Sequence, residues 1–547
     1  MNKDKMKQSL LMGALASSFG IFVSKLLGLF YYSPLSSIAG EANMAFYSFT
    51  YTYYDLLLQV SQAGIPFAIA SLVAKYSAKE DYKTVLLVKK AGTSIIMGLT
   101  AAVAFLFIIA AEPLARQTLG IYAPQEDIDN LKALFNILTI AVIIVPLLSS
   151  FRGYIQGLKR LDIYASSQVL EQFVRVFCIL AAGYVAVILL HFSSIWAIFI
   201  AVAAASIGAL IAYVFTIIMG REDERHVEEL AKAQDHDTNV TQKEIIKEIL
   251  ALGIPYLIIS FLGSAGPIVN TSFFLKYITK VNGMEAYEDA KLAFGILQAN
   301  VAKISNIPSV IAIGFGSGMV PYLSESLEKK DNAKINKQIN QILDTSMFIL
   351  IPMIMVFIFF ARDIYFIMYG NANLELGTEL FAVSNIQIFL GTVAPIFSAI
   401  MMSLKLRKEA ILTLIVSFII KFISFFPLVR YFDAYGMIYS SGIYYLVQII
   451  TYYYFLYRYF KLDISSSLKR LLMITVASLG MVLPAFVLHS FVPFDALSRL
   501  TDIALMGGLG IVMLVVYYLI TVRLHLPQQI FEMEEISIRK LLARLRP

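Results

Sequence analysis

Cysteine, tryptophan, histidine and charge are all scarce in this chain. Its 547 residues include one cysteine (Cys178), one tryptophan and five histidines, and only 15% are charged. A single thiol excludes a disulfide framework and a cysteine metal site, and five scattered histidines supply no ligand cluster. Soluble domains carry about 25% charged residues, so a chain with 59% hydrophobic residues has too little polar surface to cover several soluble domains. The formal charge of +6 is too diffuse to be a nucleic-acid footprint. No Walker A pattern and no Ser/His/Asp or paired-carboxylate constellation stands out. Gly314-Phe315-Gly316-Ser317-Gly318 imitates a phosphate loop but lies within an apolar run, where small residues serve close helix packing.

Apolar runs fill the chain almost end to end, which predicts an all-α polytopic membrane protein. With about 20 residues per crossing, the windows give about 14 spans: near 10–36, 45–73, 91–111, 130–151, 164–190, 194–219, 247–275, 292–319, 339–361, 380–403, 409–430, 436–457, 471–491 and 500–522. Of the 44 Lys and Arg, 32 fall at alternate loops and 8 at the others, a positive-inside pattern that puts both termini in the cytoplasm. Arg152 is counted among the loop residues. The N-terminal stretch lacks a clear cleavage site and contains Lys25, so it reads as a retained first helix.

The expected organisation is a six-helix lobe over 1–220, a charged cytoplasmic linker over 221–243, and a second six-helix lobe over 244–462. A helix pair over 463–524 and an amphipathic tail over 525–547 follow. Gly64-Ile65-Pro66 with Lys79-Glu80-Asp81 echoes Gly314-Phe315-Gly316 with Pro321 and Lys329-Lys330-Asp331 at an offset of 250 residues. Lobes with even numbers of spans are related by a parallel pseudo-repeat.

Charges inside spans carry the chemistry, because each costs about 2.5–3.5 kcal/mol at a helix centre. The deep ones are Lys25, Asp55, Glu171, Arg175, Lys303 and Lys421, an excess of two positive charges. Ser48, Thr52, Asp55, Gln59 and Gln62 share one helix face. That stripe reads as the wall of a wet cavity or as an interhelical hydrogen-bond seam. Glu171 and Arg175 are spaced to pair, either as a structural ion pair or as a substrate contact. Lys25 and Lys303, the latter flanked by Asn300 and Asn306, are candidates to face a central cavity between the lobes; snorkelling to an interface is the alternative, weak for Lys25 and stronger for Lys421. Gly263, Gly266 and Pro267 should bend the seventh span, as suits a gating helix. A cavity with excess positive charge favours an anion such as a pyrophosphate.

Phe151-Arg152-Gly153-Tyr154-Ile155-Gln156-Gly157, Ser167-Gln168 and Glu171-Gln172-Phe173-Val174-Arg175 resemble the stage V sporulation protein B and YtgP branch of polysaccharide-export flippases. That branch includes the lipid II flippases of the MurJ type. Ser24-Lys25-Leu26-Leu27-Gly28 and Gly316-Ser317-Gly318-Met319-Val320-Pro321 fit the same pattern. The resemblance implies the multidrug/oligosaccharidyl-lipid/polysaccharide (MOP) exporter fold in a bacterial cell membrane. It also implies alternating access and transport of undecaprenyl-pyrophosphate-linked peptidoglycan precursor, not enzymatic turnover. The lipid tail would run in a groove by the last two helices. Lys25 matches the family's cationic position in the first helix, whereas Tyr31 and Gln59 stand near further arginines of proteobacterial relatives. Asn270 replaces an acidic ion-site residue of some relatives, leaving coupling to membrane potential, protons or sodium open.

The expected substrate contacts are Lys25, Arg175 and Lys303 on the pyrophosphate, and Asp55 and Gln59 on the headgroup, with Glu171 positioning Arg175 or sensing protonation. No cofactor and no metal are expected. Partners would be the lipid-linked precursor, membrane lipids and cell-wall synthesis enzymes, with a monomeric chain. Rival readings are a flippase for a capsule, teichoic or sporulation-related lipid-linked sugar, a drug/cation antiporter, and a membrane-embedded glycan polymerase. The last lacks a large outer loop carrying a catalytic set.

Overall fold

The computed structural model describes residues 28, 31–62, 64–235, 240–308, 323–491 and 498–531. Lys25, the glycine run 314–318 and the tail beyond residue 531 lie outside the described residues, as does the side chain of Gln59. The chain divides into two compact units, 1–300 and 301–547.

The first unit holds α1 (Tyr32–Ala39), α2 (Glu41–Gln62), α3 (Ile65–Ser77), α4 (Tyr82–Leu119), α5 (Gln125–Gly157) and α6 (Leu161–Tyr184). It continues with α7 (Ile195–Ala233), α8 (Gln242–Asn282) and α9 (Ala286–Gly295). Wider π-type turns extend α6 over Val185–Leu189 and follow α9 over Ile296–Val301. The second unit holds α10 (Asn332–Phe359), α11 (Ala361–Tyr369), α12 (Leu374–Ser403), α13 (Arg407–Phe460), α14 (Ser465–His489), α15 (Arg499–Arg523) and the short α16 (Leu526–Phe531).

Among the described residues, ten helices are long and apolar enough to cross a membrane. One of them, α13, contains both expected spans 409–430 and 436–457. Its direction reverses at Asp433 (φ 46°, ψ −125°), and a Cβ on Gly436 would lie 2.5 Å from the Leu428 carbonyl. The expected span 45–73 is divided between α2 and α3 around Gly64, with Pro66 in the first turn of α3, where its missing N–H costs nothing. The spans expected at 10–36 and 292–319 run into residues outside those described.

The echoed motifs at the Lys-rich ends take one backbone form. Glu80 (φ 59°) and Lys330 (φ 55°) are both left-handed. The next residue, Asp81 or Asp331, caps a helix by accepting from the N–H three residues on, at 3.1 and 2.9 Å. A second such turn recurs at Lys159 (φ 66°) and Lys405 (φ 60°).

The segment 221–243, expected as a solvated linker, is helical through Ala233 because it is amphipathic. Val227 and Ala231 are buried. Glu224 pairs with Lys89, and Asp223 accepts from Arg160 at 2.5 Å. The unit boundary at Asn300 leaves α8 and α9 with the preceding helices. Glycine contacts bring these helices together: a Cβ on Gly64 would lie 2.2 Å from the Gly253 carbonyl oxygen of α8. α8 runs as one helix through Gly263, Gly266 and Pro267, with open space around Gly263.

Candidate functional site

The charged cluster of the first unit lies where α5, α6 and α7 meet. Arg152 belongs to α5, not to a loop, since the helix continues five residues further to Gly157, and it is only 7% exposed. Its Nε donates to Ser167 Oγ (2.8 Å) and its Nη1 to Glu171 Oε2 (2.8 Å). Arg175 Nη2 donates to the other carboxylate oxygen of Glu171 at 3.0 Å. One carboxylate thus serves two guanidiniums, and the cluster keeps one net positive charge. Gly208 of α7 permits this approach: a Cβ there would stand 2.7 Å from the Glu171 carbonyl oxygen and 3.4 Å from Arg175 Cβ. Such small residues let helices close within a membrane.

Around Arg175 stand tyrosines. Tyr31, Tyr51 and Tyr54 all interact electrostatically with it. Tyr31 and Tyr47 share a hydroxyl hydrogen bond of 2.6 Å. Tyr47 and Tyr51 stack at 4.1 Å, and Tyr51 meets Tyr54 edge-on at 5.5 Å. Arg152 Nη2, Arg175 Nε and the hydroxyls of Tyr51 and Tyr54 are buried without a hydrogen-bond partner among the described residues. Leaving such groups unsatisfied is costly. Four orphaned donors beside a net positive charge form a site whose complement is an anion rich in acceptor oxygens.

The structure brings Glu171 and Arg175 together, as their spacing predicts. Asp55 is exposed and lies within electrostatic reach of Tyr51 and Tyr54. The rest of its stripe divides. Ser48 is buried, and Thr52 accepts from Thr271 of α8 at 3.1 Å, so the upper part of the stripe is an interhelical seam. Lys303 belongs to the second unit, half-buried in the helical run 302–308 that follows the π-type turn. Lys421 does not snorkel. It is 1% exposed, donates to Ser441 Oγ at 2.7 Å and lies over the Tyr444 ring.

Arg152 and the tyrosines are the residues that sequence reasoning passed over as site members. Arg152-Gly153 looks like a helix end, and tyrosines in spans suggest interfacial belts. The available signal was Tyr47, Tyr51 and Tyr54 at helical spacing on one face of α2. The second unit contributes a separate apolar groove of about 660 Å³ along α10, α14 and α15, lined by residues such as Phe348, Pro352, Val356, Met481, Leu514 and Tyr517. No group of three His, Cys, Asp or Glu suited to a metal occurs among the described residues.

Residues 10–327 match the family model of the polysaccharide biosynthesis protein family, more than half of the chain. The chain belongs to that family. Among its relatives, the Lipid II flippase MurJ of Bacillus subtilis (strain 168) is 27% identical over 511 residues, covering 90% of this chain and 91% of the relative. Stage V sporulation protein B of the same organism is 22% identical over 434 residues, covering 76% and 77%. A solved structure of the Lipid II flippase MurJ in an inward closed conformation superposes with a TM-score of 0.67 at 14% identity, covering 93% of this chain and 99% of that one. An inward-facing multidrug resistance MATE family transporter of the MOP superfamily gives 0.62 at 13% identity, covering 82% and 96%. This family member therefore shares the fold of these two structures and is a multi-pass bacterial membrane protein, as the sequence predicts.

Proposed function

We propose that this chain is a flippase that carries undecaprenyl-pyrophosphate-linked peptidoglycan precursor, lipid II, from the inner to the outer leaflet by alternating access. The observation that carries this reading is the net positive Arg152–Glu171–Arg175 cluster with its four orphaned donors. Pyrophosphate oxygens would accept from Arg175 Nε and the hydroxyls of Tyr51 and Tyr54, and Asp55 and Gln59 would meet the sugar-peptide headgroup. Lys25 and Lys303 add positive charge for the same anion. Glu171 holds both guanidiniums in place. The apolar groove along α10, α14 and α15 suits a polyprenyl tail. The alternation of Lys and Arg supports a cytoplasmic position for both termini. The chain acts as a monomer, and cell-wall synthesis enzymes stand before and after it in handling the precursor.

The test is complementation. A bacterial host is depleted of its own lipid II flippase, this chain is expressed, and lipid II accessible at the outer leaflet is quantified. Restoration by the wild type and its loss in Arg175→Ala, with both proteins present in the membrane at equal levels, is the expected result. A stably inserted wild-type chain that restores nothing refutes the substrate assignment. The similarity to Stage V sporulation protein B favours, as second reading, a flippase for another lipid-linked sugar, which the same strain would reveal by export of capsule or teichoic precursor.

A further inference from the structure

Within the second unit, the hairpin α13 carries a ladder of buried polar side chains. Glu409, Thr413, Ser417 and Lys421 follow at steps of four on the first arm and so lie along one side of it. Ser441, Tyr444, Gln448 and Tyr452 recur at steps of three and four on the second arm. Thr413, Ser417, Lys421, Tyr444 and Tyr452 are at most 1% exposed, and Ser441 and Gln448 at most 5%. At the Lys-rich end, the exposed Tyr459 donates to Glu409 Oε1 at 2.9 Å. At the other end, Lys421 Nζ donates to Ser441 Oγ at 2.7 Å. These two cross-arm contacts fix the register, and Thr413, Ser417, Gln448 and Tyr452 lie between them. From Glu409 to Lys421 the helix rises about 18 Å.

The ladder holds more polar groups than a hairpin seam needs. The Ser417 hydroxyl donates to the Thr413 carbonyl at 2.7 Å. Thr413 Oγ1 and Gln448 Nε2 are buried without a hydrogen-bond partner among the described residues, and the Tyr452 hydroxyl stands beside Ser398 of α12 without a hydrogen bond of good geometry. Ordered water commonly joins such groups. Lys421 itself has three donors and one acceptor, Ser441, among the described residues. The titratable group nearest its Nζ is Tyr444, whose ring it lies over; Tyr445 turns to α12, where a Cβ on Gly391 would stand 2.9 Å from its ring. The elements packed on α13 are α12 and α10. α12 has no Asp, Glu, Lys, Arg, His, Tyr or Cys from 380 to 403, and the single charge of α10 from 339 to 361 is Asp344, which Arg470 binds at 2.6 Å. No carboxylate among the described residues pairs with the amine. A seam could be closed by hydroxyls alone, without the cost of an amine inside a span. At 1% exposure no substrate group reaches Lys421, and the ligand that suits an amine at the end of a polar ladder is a proton. Ionisable residues within spans mark such relays.

We propose that Lys421 is a proton-exchange site served from the Lys-rich end by the α13 ladder, which gives this transporter a means of drawing on a proton gradient. The ammonium gives up one proton and Nζ keeps the electron pair. The proton passes by way of the Ser417, Thr413 and Tyr452 hydroxyls and the waters between them to the Glu409 carboxylate, and from there to solvent. The reverse path reloads the amine. The proposal does not depend on which substrate the protein carries.

The test counts protons on the full-length chain purified in mild detergent. Potentiometric titration across the physiological range, about pH 6 to 8, compares the wild type with Lys421→Met and Lys421→Arg. The wild type is expected to exchange about one proton more per chain than either variant, since methionine has none to give and a guanidinium keeps its own. Thr413→Val combined with Gln448→Leu replaces unpartnered polar atoms by apolar ones. It should keep the count and, after a stopped-flow pH jump, slow the exchange on the order of tenfold. Circular dichroism checks that every variant keeps its helix content. A count in the wild type equal to that of either Lys421 variant would overturn the proposal. An unchanged rate in the double variant would bring the proton to the amine by another route and overturn the role of the ladder. The count needs no substrate, so it stands or falls apart from the complementation test.

Discussion

Replacing Glu171 by alanine should damage this protein more than replacing either arginine that Glu171 serves. Its carboxylate accepts from Arg152 at 2.8 Å and from Arg175 at 3.0 Å. The three side chains are 8% (Arg152), 15% (Glu171) and 15% (Arg175) exposed, so solvent screens them weakly. Glu171→Ala leaves two guanidiniums buried side by side with no counter-charge. Breaking a buried pair costs about 3–5 kcal/mol, and stranding two cations puts this variant at the upper end. Arg175→Ala leaves Glu171 with Arg152 and removes one charge-assisted hydrogen bond, worth about 1.5–3 kcal/mol. The double variant strands only Arg152, so its loss should fall short of the sum of the single losses by at least about 1 kcal/mol. Cys178, the only cysteine, is half-buried on the same helix and makes a convenient reporter. A thiol-reactive dye followed during heating should give the lowest unfolding temperature for Glu171→Ala, an intermediate one for Arg175→Ala, and a double variant no lower than Glu171→Ala. Arg175→Ala unfolding as early as Glu171→Ala, or strictly additive losses, would refute the shared-carboxylate account.

The other expectations use the same readout. Gly208→Val puts a branched side chain where Cβ alone would meet the Glu171 carbonyl oxygen at 2.7 Å, so α6 and α7 must part; a loss of about 1–3 kcal/mol is expected, and an unchanged unfolding temperature would show that the helices are not held at this spacing. Lys421→Met exchanges a buried amine for an apolar side chain of similar length. Ser441 still donates to the Met437 carbonyl at 2.8 Å, so the unfolding temperature should hold or rise, and a fall would assign Lys421 a stabilising role that its contacts do not explain. Lys330→Gly relieves a left-handed residue (φ 55°), whose strain of about 1–2 kcal/mol exceeds the entropic cost of glycine, about 0.5–1 kcal/mol; modest stabilisation is the expected outcome, and destabilisation would count against the strain argument.

Helix positions were the most legible feature, because a crossing needs a long apolar run and each run has few competing readings. The short reversal at Asp433 was legible as a gap between two runs, and the Lys79–Asp81 and Lys329–Asp331 echo appears again as one backbone turn. The Glu171–Arg175 pair was legible from its spacing alone. What failed to show was the third dimension. Arg152 followed by Gly153 reads as a loop, and only the continuation of α5 to Gly157, with Gly153 against the Pro66 carbonyl, carries it into the protein. Ser48, Thr52 and Asp55 share one face of α2, yet Ser48 is buried, Thr52 is bonded to α8 and Asp55 is exposed. A one-dimensional pattern gives the direction of a side chain, not what stands opposite it. Tyr31, reaching Tyr47 from outside α2, was illegible for the same reason.

The reversal in α13 bears on how this chain enters a membrane. Its two arms are joined at Asp433 with scarcely a residue to spare. So short a connection suits entry as a pair. Lys421 lies on the first arm and its partner Ser441 on the second, twenty positions later. An amine entering on a lone helix would meet hydrocarbon with nothing to donate to, at about 2.5–3.5 kcal/mol. Entering as a hairpin, it finds the serine hydroxyl and the Tyr444 ring on its own second arm, with no other helix needed.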